Sequence, residues 1–230
     1  RKEEQEMRKV QLTMPESDQR FDEAMKTLRT NIQVSGADIR TIMMTSTEPN
    51  EGKSEITFHT ALSFANTGKK VLLIDADIHK SVLTSRYHLE EEVDGLSQYL
   101  TGQKRAEEVI YNTNIENFDI LFSGPYAPNP AELFESDLMK DLLKEELKFY
   151  DYILVDTPPV GSLIEGAIIA QYCDGAILVI RSGAISYKRV QRVKRQVEKS
   201  GCRMLGAVLN MVNTSKGSYY NSYYYGDYDY

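Results

Sequence analysis

A chain of 230 residues with 27 Lys and Arg against 34 Asp and Glu carries a formal charge of −7, and 41% of it is hydrophobic. That is enough apolar material for one large domain or two small ones, while the acidic balance argues against nucleic-acid binding. Its apolar runs, such as Ala176-Ile177-Leu178-Val179-Ile180, fall far short of the roughly 20 residues of a membrane span.

The chain opens on Arg1 without an initiator Met, as a trimmed polypeptide would, and no secretory signal pattern follows. Residues 17–34 predict an amphipathic helix with Phe21, Met25, Leu28 and Ile32 on one stripe. A short strand follows at Thr41-Ile42-Met43-Met44, then a helix over 55–66 with Gly68 as its terminator. Further strands are expected at Val71-Leu72-Leu73-Ile74 and Ile120-Leu121-Phe122. Asn129 as N-cap, Pro130 at N1 and Glu132 at N3 predict one helix running to about Phe149. Strands at Tyr152-Ile153-Leu154-Val155, Ala176 to Ile180 and Met204 to Leu209 complete the pattern. These runs are continuous and β-branched rather than alternating, as in strands buried on both faces. The fold class is therefore α/β: a doubly wound, mostly parallel sheet flanked by helices, with ligands at the carboxyl ends of the strands. The domain reading is a helical arm at 1–35, a phosphate-loop domain at 36–214 and a tyrosine-rich tail at 215–230, the last read as disordered.

Thr45-Ser46-Thr47-Glu48-Pro49-Asn50-Glu51-Gly52-Lys53-Ser54 follows a strand and precedes a helix, the context a phosphate loop requires. Backbone amides of such a turn, with the helix N-terminus, meet phosphate oxygens. Thr47 stands where the strict eight-residue pattern has its first Gly. The candidate nucleotide contacts are Thr47, Asn50, Glu51, Gly52, Lys53, Ser54 and Glu55. Lys53, taken to face ligand rather than core, would reach the β- and γ-phosphates, and the Ser54 hydroxyl would ligate Mg²⁺. Asp75 and Asp77 end one strand and Asp156 ends another, at the edge where the loop lies. Three carboxylates there would repel one another unless a cation sits among them. Mg²⁺ keeps several waters, so Ser54, Asp77 and Asp156 form its expected ligand set, the acids acting through water. Cys173 and Cys202 show no metal spacing and fit a reducing compartment; His59, His79 and His88 show no ligand spacing.

These residues resemble the bacterial tyrosine kinases of capsular and exopolysaccharide synthesis, relatives of the septum-site and plasmid-partition ATPases. The resemblance covers the loop at 46–54, Asp75-Ala76-Asp77, the strand ending Asp156-Thr157-Pro158, Pro128-Asn129-Pro130-Ala131-Glu132-Leu133 and the terminal tyrosine cluster. It implies a P-loop NTPase fold and ATP-dependent autophosphorylation of tail tyrosines. It further implies a ring in which subunits modify their neighbours, assembled through a helix signature that appears here as Glu23, Lys26 and Arg29. Asn210 matches the position that meets the nucleotide base. His79 replaces a usual Arg, and Lys26 replaces the first Arg of the ring signature. Glu48 stands near where partition-type ATPases carry a signature Lys. A membrane-bound activator is implied, and hence a cytoplasmic chain at the inner face of the plasma membrane. The alternative is a partition-type ATPase that switches partners without transferring phosphate to protein.

Seven tyrosines crowd the last twelve residues: Tyr219, Tyr220, Tyr223, Tyr224, Tyr225, Tyr228 and Tyr230. Beside an ATP site they read as phosphoacceptors rather than as a low-complexity tract. A tyrosine hydroxyl with a pKa near ~10 needs a carboxylate to take its proton, with Asp75 the first candidate and Asp77 its rival. Residues 186–203 carry seven cations against Glu198, with Val190, Val193 and Val197 at core-facing intervals. The basic face reads either as a solvated surface or as a dock for an acidic tail or membrane-proximal partner.

Overall fold

The computed structural model of the chain describes residues 8–14, 18–87 and 93–213. The first half runs β1 (Arg8–Val10), α1 (Gln19–Val34), β2 (Thr41–Ser46), α2 (Lys53–Ala65), β3 (Val71–Asp75), α3 (Leu83–Arg86), α4 (Leu96–Leu100), α5 (Ala106–Val109) and β4 (Ile110–Thr113). The second runs β5 (Phe118–Leu121), α6 (Pro130–Glu135), α7 (Asp137–Glu146), β6 (Tyr152–Asp156), α8 (Glu165–Ala170), β7 (Gly175–Arg181), α9 (Tyr187–Lys199) and β8 (Arg203–Asn210).

The eight strands form one sheet in the order β1-β4-β5-β3-β6-β2-β7-β8. Every neighbouring pair is parallel except β4 with β5. Successive residues of β2 serve opposite faces. Met43 packs with Leu72, Ile74 and Val155 in one cluster, while Ile42 and Met44 pack with Leu73, Leu154 and Phe58 in the other. This two-sided burial is why the central strands read as unbroken apolar runs. Each fully buried Leu or Ile contributes about 1.5–3 kcal/mol.

Helix α1 begins one residue after Asp18, whose Oδ1 accepts from the Arg20 amide at 3.2 Å. Met25 and Ile32 are buried, with Phe21 and Leu28 packed beside them, so α1 rests on the domain along the predicted stripe. Gly68 turns the chain after α2 at φ 79, its amide donating to Ala65 O.

Two expectations are corrected. The single helix expected over 129–149 is broken at Ser136, whose ψ of 152° is extended and whose hydroxyl donates to Leu133 O at 2.6 Å. Asn129 does precede Pro130, but in the left-handed region, and its side chain makes no capping bond. The sheet also gains β1 and β4 on one side, short strands whose polar residues hide them from an apolar-run reading. Among the described residues no helix is long and apolar enough to cross a membrane.

Candidate active site

Strands β2, β6 and β3 lie side by side, with Met44 opposite Asp156 and Asp156 opposite Asp75. Their carboxyl ends therefore fall level. The loop from β2 into α2 closes over that edge. Asn50 (φ 64) and Gly52 (φ 83) both adopt left-handed backbone, and a Cβ on Gly52 would lie 2.1 Å from Asn210 Nδ2. Only a glycine fits there. The first amides of α2 have no acceptor within the helix, so the helix presents donors and a positive dipole end to the loop's concave side.

Glu51 holds the loop in shape. Its side chain is buried, with Oε2 accepting from the amides of Thr47 (2.7 Å) and Glu48 (2.8 Å) and Oε1 from Arg181 N on β7 (3.0 Å). Asn210 Nδ2, on β8, donates to Glu51 O at 3.0 Å. From the other side Gly161 presses so close that a Cβ there would stand 2.0 Å from Thr47 O.

A cavity of about 270 Å³ opens beneath this loop. Asn50, Glu51, Gly52, Lys53, Ser54, Glu55 and Asp77 reach its wall, as do His79 and Met211. Thr47, Asp75, Asp156 and Asn210 are not part of that wall but bond directly to residues that are. Thr47 is buried with its amide already bonded to Glu51, and Asn210 braces the loop, with its neighbour Met211 forming the wall. The seven candidate phosphoacceptors, from Tyr219 to Tyr230, lie outside the described residues.

Lys53 reaches the cavity wall and is also held from within the domain. It is 6% exposed, and its Nζ lies 2.5 Å from Asp156 Oδ1 and 3.4 Å from Ser54 Oγ. Thr57 Oγ1 also reaches Asp156 Oδ1, at 3.3 Å. Lys53 thus sets one positive charge of the chain's own against the clustered carboxylates. Asp75 relieves the rest of the repulsion by holding its proton: burial, then the charge of Asp156, raises its pKa to about 7 against the pull of Ser81 and Lys53. Ser81 Oγ donates to Asp75 Oδ2 at 2.5 Å and the Asp77 amide to Oδ1 at 3.2 Å. Asp77 is half-buried and accepts from the Lys80 amide at 3.1 Å.

Among the described residues no three His, Cys, Asp or Glu side chains converge on a metal position. The residues nonetheless suit an ion that keeps its waters. Asp156 Oδ2 is buried with no hydrogen-bond partner, and Asp77 and Ser54 stand at the wall in front of it.

Sequence reasoning did not single out Arg181, Gly161, Ser81 or Glu165. Glu165 is buried and meets His79 Nε2 at 2.9 Å, holding the loop after β3 against α8. Only Gly161, just after the Pro158-Pro159 turn, left a signal in the sequence.

The family model described as AAA domain matches residues 39–204. The tyrosine-protein kinase CpsD of Streptococcus pneumoniae is 39% identical over 207 residues, covering 90% of this chain and 91% of that protein. The tyrosine-protein kinase YwqD of Bacillus subtilis is 37% identical over 97% of this chain and 94% of its own. Among solved structures, the kinase domain of the Escherichia coli tyrosine kinase ETK superposes with a TM-score of 0.78 at 29% identity, over 86% of this chain and 79% of that one.

Proposed function

This chain belongs to the bacterial tyrosine-protein kinase family, and from that premise we propose that it transfers the γ-phosphoryl group of ATP to tyrosine hydroxyls on the tails of neighbouring copies. The observation that carries the reading is the convergence of Lys53, Ser54 and Asp77 on one cavity, with Asp75 and Asp156 in register behind it.

The α2 amides would bind the phosphates, and Lys53 would leave Asp156 to meet the charge that grows on the transferred group. Bound Mg²⁺, held by Ser54 and by Asp77 and Asp156 through water, would neutralise phosphate oxygens. Asp77, at the wall, or Asp75, whose proton is mobile near neutral pH, would accept the tyrosine proton. Thr47, Asn50, Glu51, Gly52 and Glu55 would serve the nucleotide through loop geometry, and Asn210 by bracing that loop toward the base. The tail tyrosines, from Tyr219 to Tyr230, would be the acceptors.

The same reading places the chain in a ring of copies on the inner face of the plasma membrane, recruited by a membrane-bound activator and regulating capsule or exopolysaccharide synthesis. Glu23 and Lys26 are exposed on α1 and paired with each other at 2.7 Å, free to exchange partners with a neighbour. Arg29 is spoken for: its Nη1 donates to Ser63 O at 2.9 Å, clamping α1 on α2. Against a partition-type switch, Glu48 carries an acid near the signature Lys position and pairs with Arg189 of its own chain. The test is incubation of the pure chain with labelled ATP and Mg²⁺, followed by mapping of modified residues. Phosphotyrosine confined to the tail is the expected result; ATP hydrolysis without protein labelling would overturn the reading.

A further inference from the structure

Helix α9 has two unlike faces. Val193 and Val197 are buried and Val190 packs beside them, seating the helix on the domain. Lys188, Arg192, Arg195 and Lys199 recur at intervals of four, three and four, so they share one stripe on the side away from the valines. All four are exposed. Arg189 is engaged with Glu48 and Lys194 with Glu198, but the four stripe cations form no ion pair among the described residues. With Tyr187 and two glutamines they line a shallow groove of about 470 Å³. Four unpaired cations on a chain of net charge −7 call for an anionic occupant.

We propose that this stripe is a docking site for the chain's own C-terminal segment, residues 214–230, once its tyrosines are phosphorylated; the proposal rests on the kinase reading above. Proximity is the first argument. The Ser182 amide donates to Asn210 O at 2.9 Å, so the end of β8 lies beside the turn that leads into α9 at Tyr187. The 17 residues beyond Asn213 span up to about 60 Å when extended, against about 20 Å for the whole of α9.

Charge and spacing are the second argument. The unmodified segment holds Lys216, Asp227 and Asp229 and is nearly neutral. Each phosphotyrosine adds roughly −1.5 to −2 charges and three acceptor oxygens suited to Arg and Lys. Tyr220 and Tyr224, four residues apart, stand about 13 Å from each other on an extended strand. The stripe is about 16 Å long from Lys188 to Lys199, enough for one phosphate over each end. Apart from Tyr187 its face offers no apolar side chain for insertion into lipid, which favours a phosphopeptide over a membrane surface. A docked tail would be withdrawn from neighbouring active sites, so the product of the reaction would hold itself away from further turnover.

The experiment uses the dephosphorylated full chain and a fluorescent synthetic peptide of residues 214–230 phosphorylated at Tyr220 and Tyr224, followed by anisotropy. Because the phosphates are installed chemically, peptide binding is independent of whether the chain labels itself with ATP, and the two readings fail separately. The phosphopeptide should bind at least about tenfold tighter than its unmodified form, with affinity falling as salt rises. Charge reversal at Lys188, Arg192, Arg195 and Lys199, or the milder Arg192→Gln with Arg195→Gln, should weaken it about tenfold. Reversal of Lys140 and Lys144 on α7 should leave it unchanged. Equal binding by the α9 variants would overturn the proposal. So would α9-dependent binding of phosphatidylglycerol vesicles with no binding of the phosphopeptide.

Discussion

The Lys53 ammonium lies 2.5 Å from Asp156 Oδ1, with both side chains almost fully buried. Under the kinase reading Lys53 must also meet the γ-phosphate, so its three N–H donors have to be shared with Asp156 or withdrawn from it. The pair also gives Lys53 a structural duty beside its place at the cavity wall.

Lys53→Met should therefore do two things. Phosphotyrosine formation should fall by about 10²–10³-fold or more through loss of transition-state charge stabilisation. Stability should fall as well, by about 3–5 kcal/mol, because Asp156 is left as an uncompensated buried charge. Lys53→Met combined with Asp156→Asn should recover much of the stability and none of the activity. Urea unfolding beside labelled-ATP assays would separate the two effects.

The elevated pKa of Asp75 makes stability pH-dependent with a definite sign. Folded, the group binds its proton up to about pH 7; unfolded, it releases it near the ordinary carboxylate value of 3.8. Between those values the native state holds more protons, so this group's contribution to stability declines as pH rises toward 7. Asp75→Asn should abolish that decline and raise the melting temperature at pH 8 relative to wild type. If Asp75 is the base, the same variant should also remove an activity limb that rises through about pH 7. Thermal melts and rate–pH profiles of both proteins test this.

Glu51 accepts three backbone amides from two separate segments. Glu51→Ala would leave those donors without partners, at about 1–3 kcal/mol for each one that stays buried. The loop should lose its shape, and ATP affinity measured by calorimetry should drop by at least about tenfold. Gly161→Ala should act similarly from the opposite side, since its new methyl would meet Thr47 O.

Residues of the α1 signature should separate by phenotype. Arg29→Ala breaks the clamp on Ser63 and should cost roughly 1.5–3 kcal/mol of stability. Glu23→Lys changes an exposed pair and should leave the melting temperature nearly unchanged. If α1 forms the ring contact, Glu23→Lys should instead shift the assembly toward monomers, read by light scattering.

By itself the sequence determined the sheet's central strands, the phosphate loop and the carboxylates at the strand ends. Strands buried on both faces must be unbroken apolar runs, and Gly52-Lys53-Ser54 after such a run marks the entry from a strand into a helix. Helix α1 and the valine stripe of α9 were legible for a similar reason, since core-facing positions recur every three or four residues. Only the tertiary structure decided what those polar groups do with one another. Lys53 and Asp156 are 103 residues apart, Glu51 and Arg181 are 130 apart, and His79 and Glu165 are 86 apart. No local period links such partners, because they meet only when a parallel sheet brings distant strand ends to one edge. Burial at that edge then set the protonation of Asp75, paired Lys53 with Asp156 and made Glu51 part of the scaffold, through the desolvation and pairing that only packing imposes.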